Sequence, residues 1–278
     1  MQWHAGSRVL ALDAPVVMGI LNVTPDSFSD GGKHASPEAA LEAARQMVAA
    51  GASIIDVGGE STRPGSVPPP LALELARVEP VVRALRRELD VVISVDTSRA
   101  EVIEAVAAAG ADLINDVRGF RQPDALAALV RTGLGACVMH MQGEPANMQL
   151  APQYLDVVTE VHAWLAEQVL RLERAGVPRA RIAIDPGFGF GKSEAHNRAL
   201  FASLRRFCSL GLPLLVGVSR KSIVGQLTGR PVAERLAGSV ALAALAVERG
   251  ASVIRAHDVA QTLDAVKVGA AFATRQEN

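Results

Sequence analysis

Residues 91–117 read VVISVDTSRAEVIEAVAAAGADLINDV. The stretch opens on a β-branched run, residues 91–96, that ends on Asp96. It continues through an alanine-rich, helix-length segment, residues 98–109, and stops at Gly110 before a second apolar run, residues 113–116. Ser98 stands where a helix N-cap belongs, and Gly110 where a left-handed residue ends a helix. Both runs are apolar on successive residues, the pattern of strands covered on two faces. A buried strand, a helix and a second buried strand make a parallel crossover unit.

The same unit recurs along the chain. Apolar runs fall at residues 16–22, 54–58, 91–96, 113–116, 136–140, 182–185, 214–218 and 253–257. Helix-like segments separate them at residues 37–50, 71–89, 98–109, 124–132, 154–175, 197–209, 232–249 and 259–274. Eight strand–helix units in succession favour closure into a (β/α)8 TIM barrel over an open α/β sheet. No Gly-x-Gly-x-x-Gly follows the first run, where a dinucleotide-binding sheet would carry it. The first fifteen residues lie outside the repeat and are expected to form a short N-terminal strand pair closing the barrel floor. No linker interrupts the pattern, so residues 1–278 are expected to be a single domain.

Composition agrees with a barrel of Ala, Val, Leu and Ile: 49% of the 278 residues are hydrophobic and only 4% aromatic. A net charge of -1 gives no basic surface for nucleic acid and no polybasic patch for a membrane. The two cysteines, Cys137 and Cys208, lack metal or redox spacing and are expected as buried free thiols. The N-terminus has no long apolar core of a secretory signal, so a cytoplasmic location is expected.

In such barrels chemistry gathers where the strands run out at their C-terminal ends. Those ends carry Asn22, Asp56, Asp96, Asn115, His140, Asp185, Ser219 and His257. Strand periodicity puts Met18, Ile20 and Asn22 on one side, Ser94 with Asp96, Leu113 with Asn115, Ala183 with Asp185, and Arg255 with His257. If those sides face the axis, Asn22, Asp96, Asn115, Asp185, Arg255 and His257 share one pocket. A lone strand-end Asp or Asn is commonly a cap or turn former. An arginine inside an apolar strand is not so easily explained, because a buried guanidinium needs an anionic partner.

The set has a chemical sense. Ionised carboxylates only accept hydrogen bonds, so two of them with an Asn suit a flat heterocycle whose edge is rich in N–H donors. Lys221, in the run SRKS at residues 219–222, can donate to a ring carbonyl or nitrogen. Arg63, Arg255 and His257 suit a phosphate. Two long Gly-, Ser- and Pro-rich loops, residues 24–32 and 58–66, stand at the same face.

The runs GILNVTPDSFSDGG (residues 19–32) and DVGGESTRPG (residues 56–65) resemble the two signatures of bacterial dihydropteroate synthases. SVDT at 94–97, NDV at 115–117, MHMQG at 139–143, DPGFGFGK at 185–192, GVSRKS at 217–222 and RAHD at 255–258 follow in the family's order. The resemblance implies an enzyme that joins para-aminobenzoate to 6-hydroxymethyl-7,8-dihydropterin diphosphate, releasing pyrophosphate. It implies pterin contacts from Asp96, Asn115, Met139, Asp185, Phe190, Lys221 and Arg255. It implies diphosphate contacts from Asn22, Arg63, Arg255 and His257, with Mg2+ as cofactor bridged by Asn22. Phe28, Thr62, Pro64, Phe190, Lys221 and Ser222 would surround para-aminobenzoate. Asn22, Asp96, Arg255 and His257 would carry the chemistry, and sulfonamides would compete for the arylamine site.

Two other readings use the same heterocycle residues: a methyltetrahydrofolate–corrinoid methyltransferase, and a catalytically dead pterin-binding subunit. The loop holding Thr62-Arg63-Pro64 and the Ser219–Ser222 run fit an aminobenzoate site better than the first. Retention of Asn22, Arg63, Lys221, Arg255 and His257 speaks against the second. His140 is expected as a structural hydrogen-bonder beneath the pocket. Residues 236–247, LAGSVALAALAV, are apolar nearly all round, more than a barrel helix needs on its inner face, so a homodimer is expected.

Overall fold

The computed structural model describes residues 1–24, 36–61 and 65–273. Its first element is a hairpin: β1 (Gln2–Ala5) and β2 (Arg8–Ala11) pair antiparallel, with Trp3 opposite Leu10. Eight parallel strands follow: β3 (Val16–Asn22), β4 (Ile54–Gly58), β5 (Val92–Asp96), β6 (Leu113–Asp116), β7 (Gly135–Met139), β8 (Ile182–Asp185), β9 (Leu215–Val216) and β10 (Val253–Ala256). Their order is β8-β7-β6-β5-β4-β3-β10-β9. A parallel bridge between Ile184 and Leu214 joins the two ends, with the Ile184 amide donating to Pro213 O at 2.9 Å. The sheet is thus a barrel whose last seam is short.

The period of two sorts every strand. Met18, Ile54, Val92, Leu113, Cys137, Ala183, Leu215 and Val253, one from each barrel strand, form an inner apolar layer. Trp3, Ala5 and Leu12 pack onto it, so the hairpin closes the barrel floor as expected. The Trp3 indole N–H donates to Arg181 O at 3.0 Å, which satisfies its polar edge. Residues of the opposite parity, among them Val17, Ile55, Ile93, Ile114, Val138, Ile184 and Ile254, lie in the larger core between sheet and helices. Burying each such side chain is worth about 1.5–3 kcal/mol, and the two layers together explain why the runs are apolar without alternation.

The helices are α1 (Pro37–Ala49), α2 (Leu71–Glu88), α3 (Ala100–Ala109), α4 (Pro123–Thr132), α5 (Val157–Arg174), α6 (Glu194–Ala202), α7 (Leu204–Phe207), α8 (Ser222–Thr228), α9 (Leu236–Glu248) and α10 (Val259–Phe272). Gly110 ends α3 at φ 104, the left-handed residue its position suggested. Four expectations need correction. Ser98 does not cap α3: its hydroxyl donates to buried Asp116, and Thr97 donates to Glu74 at 2.7 Å, so the helix starts after Arg99 without a side-chain cap. The segment expected as one helix at 197–209 begins earlier, at a Ser193–His196 capping box, and breaks at Ser203. The helix expected from residue 232 begins at Leu236, and the short α8 was not anticipated. Cys137 is buried inside the barrel, but Cys208 is exposed.

Candidate active site

Two residues above the apolar layer, the same parity brings Ile20, Asp56, Ser94, Asn115, Met139, Asp185, Gly217 and Arg255 to the axis. Two residues higher come Asn22, Gly58, Asp96, Ser219 and His257. The barrel therefore changes from hydrocarbon to polar within one period, at the C-terminal ends of its strands.

Arg255 is the bridge of this layer. From β10 its Nε reaches Asp56 Oδ2 on β4 at 2.6 Å, and Nη2 reaches Asp96 Oδ2 on β5 at 3.2 Å. Burial works against the charge of Arg255, but Asp56 and Asp96 more than offset it and its pKa is raised. Asp56 also accepts from Ser94 Oγ at 2.5 Å and from Asn115 Nδ2 at 3.2 Å. That second bond fixes the Asn115 amide, whose Oδ1 is buried with no hydrogen-bond partner among the described residues. An orphaned buried acceptor is costly, and here it marks where a donor is wanted. Burial pushes the Asp96 carboxyl upward, Arg255 pulls it back, and Asp56 adds to the rise.

Asp185, at the end of β8, accepts the Gly187 N–H at 2.7 Å. Gly187 has φ 72, and a Cβ there would stand 1.9 Å from His140 O, so only glycine lets this loop lie against the end of β7. Burial raises the Asp185 carboxyl against the pull of Lys221. Lys221 donates to Phe188 O at 2.7 Å and sits 4.6 Å from the Phe190 ring centroid. Burial lowers its pKa to about 8, with Asp185 opposing. The preceding Arg220 turns the chain at φ 58, a conformation non-glycine residues avoid at about 1–2 kcal/mol. Its backbone N–H to Ser239 Oγ at 2.9 Å and its guanidinium on Asp258 at 3.0 Å hold that turn. Met139 and Phe190 join Val117, Met141 and Met148 in an apolar wall on one side of the mouth.

His257 is neutral, its pKa lowered to about 4 by burial and then by Arg255 and Arg220. Its backbone N–H donates to Ser219 Oγ at 3.2 Å, and that oxygen lies 3.0 Å from Nδ1. In the tautomer where the Ser219 hydroxyl donates to Nδ1, Nε2–H is the donor presented by the ring. Asn22 ends β3, its Oδ1 3.3 Å from where a Cβ on Gly58 would stand. Ser222 begins α8 and is exposed. Phe28, Thr62, Arg63 and Pro64 lie outside the described residues.

Sequence reasoning names Asp56 at a strand end but not in the axial set, and gives Lys192 no role. Asp56 is fully buried at the centre of the layer, and only its parity with Ile54 announced it. Lys192, 2% exposed, donates to His140 Nδ1 at 2.9 Å and Phe190 O at 3.0 Å, and approaches His140 O at 3.3 Å. Burial lowers Lys192 to about 7 and, with Lys192 beside it, His140 to about 2. His140 is thus a neutral acceptor, packed edge-on against Trp164 at 5.0 Å. A surface cleft of about 550 Å3 near Tyr154, Glu160 and His196 shows no such convergence. Glu160 there is spent on the backbone N–H groups of Leu155 and Asp156.

The barrel mouth thus combines acceptor-only carboxylates, a fixed amide oxygen, two cations and an apolar wall. Among the described residues it has no Ser–His–Asp or Cys–His arrangement: Ser219 and His257 pair, but no carboxylate is hydrogen-bonded to that imidazole.

Residues 18–257 match the family of pterin binding enzymes. A dihydropteroate synthase of Escherichia coli (strain K12) is 51% identical over 278 residues, covering 100% of this chain and 99% of its own length. The fold is similar to that of the Yersinia pestis dihydropteroate synthase solved in complex with a sulfonamide drug, with TM-score 0.92, 51% identity and 98% of each chain covered. It is also similar to the Xanthomonas albilineans dihydropteroate synthase in complex with 7,8-dihydropteroate, with TM-score 0.89, 47% identity and 98% of each chain covered.

Proposed function

Because this chain belongs to the dihydropteroate synthases, within the pterin-binding enzyme family, we propose a division of its barrel mouth into three adjoining subsites. The enzyme joins para-aminobenzoate to 6-hydroxymethyl-7,8-dihydropterin diphosphate and yields 7,8-dihydropteroate and pyrophosphate. The observation that carries the assignment is the buried, unpartnered Asn115 Oδ1 set among the carboxylates of Asp96 and Asp185. Three acceptors around one cavity suit the 2-amino-pyrimidinone edge of a pterin, which is rich in N–H. Lys221 supplies the one donor such a ring needs, and Met139 and Phe190 cover its face. Arg255, held flat between Asp56 and Asp96, stacks on the other face.

Arg255, the Nε2–H of His257, Asn22 and Arg63 take the diphosphate. Mg2+ belongs with this group. Magnesium binds through few protein oxygens plus substrate phosphates, so the Asn22 amide oxygen at the barrel mouth fits as its protein ligand. When bound, the ion would offset charge that develops on the leaving pyrophosphate. The protein's own contribution runs in the opposite sense. Asp96 and Asp185 face the dihydropterin ring with acidic groups, and that ring shares by delocalisation the positive charge that the methylene carbon gains as the C–O bond breaks. The path is SN1-like. The arylamine is already an uncharged base, which is why the site needs no general base to activate it. Phe28, Thr62, Pro64, Phe190, Lys221 and Ser222 surround the aminobenzoate, and a para-amino sulfonamide would take the same place.

The test is stoichiometric pyrophosphate release. It should require both substrates and accompany dihydropteroate formation. Methyl transfer to a corrinoid instead would move the chain to the competing reading. Leu245 of α9 and Val268 and Phe272 of α10 are exposed, Phe272 at 75%. That outer face supports a homodimer, and a monomer at micromolar concentration by light scattering would argue against it. Among the described residues no helix is long and apolar enough to cross a membrane. A cytoplasmic location suits a synthase of this kind.

A further inference from the structure

Asp56 has no solvent exposure, yet three side chains from three other strands converge on it. Its Oδ2 accepts from Arg255 Nε at 2.6 Å and from Asn115 Nδ2 at 3.2 Å, and its Oδ1 accepts from Ser94 Oγ at 2.5 Å. A carboxylate can only accept. Asn115 must therefore turn its NH2 group toward Asp56, which leaves Oδ1 as the atom buried without a partner. The same carboxylate draws the Arg255 guanidinium from β10 across β3 to β4.

We propose that Asp56 is the positioning residue of the heterocycle site: without being needed as a substrate contact, it dictates that Asn115 offers an acceptor and that Arg255 lies in a fixed plane. It is a specificity device as well. A ring presenting N–H at this point is matched, and a ring presenting a lone pair meets an oxygen. This rests on the heterocycle role proposed for Asn115.

Asp56→Asn tests it, because the amide is isosteric. Its oxygen can keep Arg255 and Asn115, and its NH2 can donate to Ser94 once that hydroxyl turns. The fold is kept, but the amide can also invert and let Asn115 invert with it. Calorimetry with 6-hydroxymethylpterin should show binding weakened by about tenfold, the cost of one mispaired hydrogen bond. Pyrophosphate with Mg2+ should bind as well as before or better, since Arg255 has lost a neighbouring negative charge. Opposite responses to the two probes are the signature of positioning. Loss of both probes together, or an unchanged pterin affinity, overturns the assignment. Ser94→Ala removes a donor from Asp56 without touching Arg255 or Asn115. It should spare both probes, because the Oδ2 bonds that set Arg255 and Asn115 remain, and a pterin loss as large as that of Asp56→Asn would count against the role. Asn115→Ala separates the two layers of inference. If it retains the pterin, the heterocycle reading itself fails and this assignment with it. If it loses the pterin while Asp56→Asn does not, only the role of Asp56 falls.

Discussion

Asp185→Asn is the sharpest perturbation of the pterin subsite. Alanine at this position would leave the Gly187 N–H, now bonded at 2.7 Å, without its acceptor and so confound binding with loop damage. Asparagine keeps that bond through its oxygen and replaces the second carboxylate oxygen by an NH2 group. A ring edge that donates N–H then meets a donor. One charge-assisted hydrogen bond, about 1.5–3 kcal/mol, is lost and a donor–donor contact is added. A total near 3 kcal/mol corresponds to roughly a hundredfold weaker binding. Stability should change little, because burial already opposes the ionised Asp185 and removing the charge relieves that cost while forfeiting the attraction to Lys221. Titration calorimetry with 6-hydroxymethylpterin, alongside thermal melts, reads both quantities. An affinity within about threefold of the parent would remove Asp185 from the pterin subsite, since one charged bond alone is worth more than that.

Other outcomes follow from the same geometry. Burial lowers Lys192 from its ordinary 10.5 to about 7, so between those values the unfolded chain holds a proton that the folded chain has released. Stability gains from this group as pH rises through that window, by up to about 1.4 kcal/mol per pH unit. Lys192→Met should flatten the rise by about one proton in urea denaturation between about pH 7.5 and pH 9.5, leaving the smaller contribution of Lys221; equal slopes in the two proteins would refute the buried-cation account. A para-amino aryl sulfonamide should raise the apparent KM for para-aminobenzoate and leave that for the pterin diphosphate unchanged. Inhibition that survives saturating para-aminobenzoate would contradict a shared arylamine subsite.

The period of two made much of this legible before any coordinates. Asn115, Asp185 and Arg255 could be assigned to the axis because each follows an apolar residue of the same parity, and Asp96 because it shares the parity of Val92 and Ser94; Val92, Leu113, Ala183 and Val253 do form the inner layer. Asp56 obeys the same rule. It is named among the strand ends but not placed on the axis, because the run Ile54–Gly58 is otherwise apolar and nothing local distinguishes a hub from a turn former. Lys192 closes the DPGFGFGK run, but nothing in that run assigns it a role. Two of its three acceptors, Nδ1 and O of His140, lie 52 residues away and no spacing encodes them; the third is Phe190 O on its own loop. Ser98 misled for a related reason: a buried carboxylate, Asp116, competes for its hydroxyl better than a helix end does. The neutral state of His257 likewise comes from burial and from Arg255 and Arg220, of which only Arg255 is near in sequence.

The most direct test of the central claim is a crystal structure with 6-hydroxymethylpterin diphosphate bound. The account predicts the 2-amino-pyrimidinone edge within about 3.2 Å of Asp185 and of Asn115 Oδ1, the ring stacked on Arg255, and the diphosphate near His257 and Asn22. A pterin with its N–H edge turned to solvent and Asn115 Oδ1 still unpartnered, or one seated in the cleft of Tyr154 and His196, would contradict it.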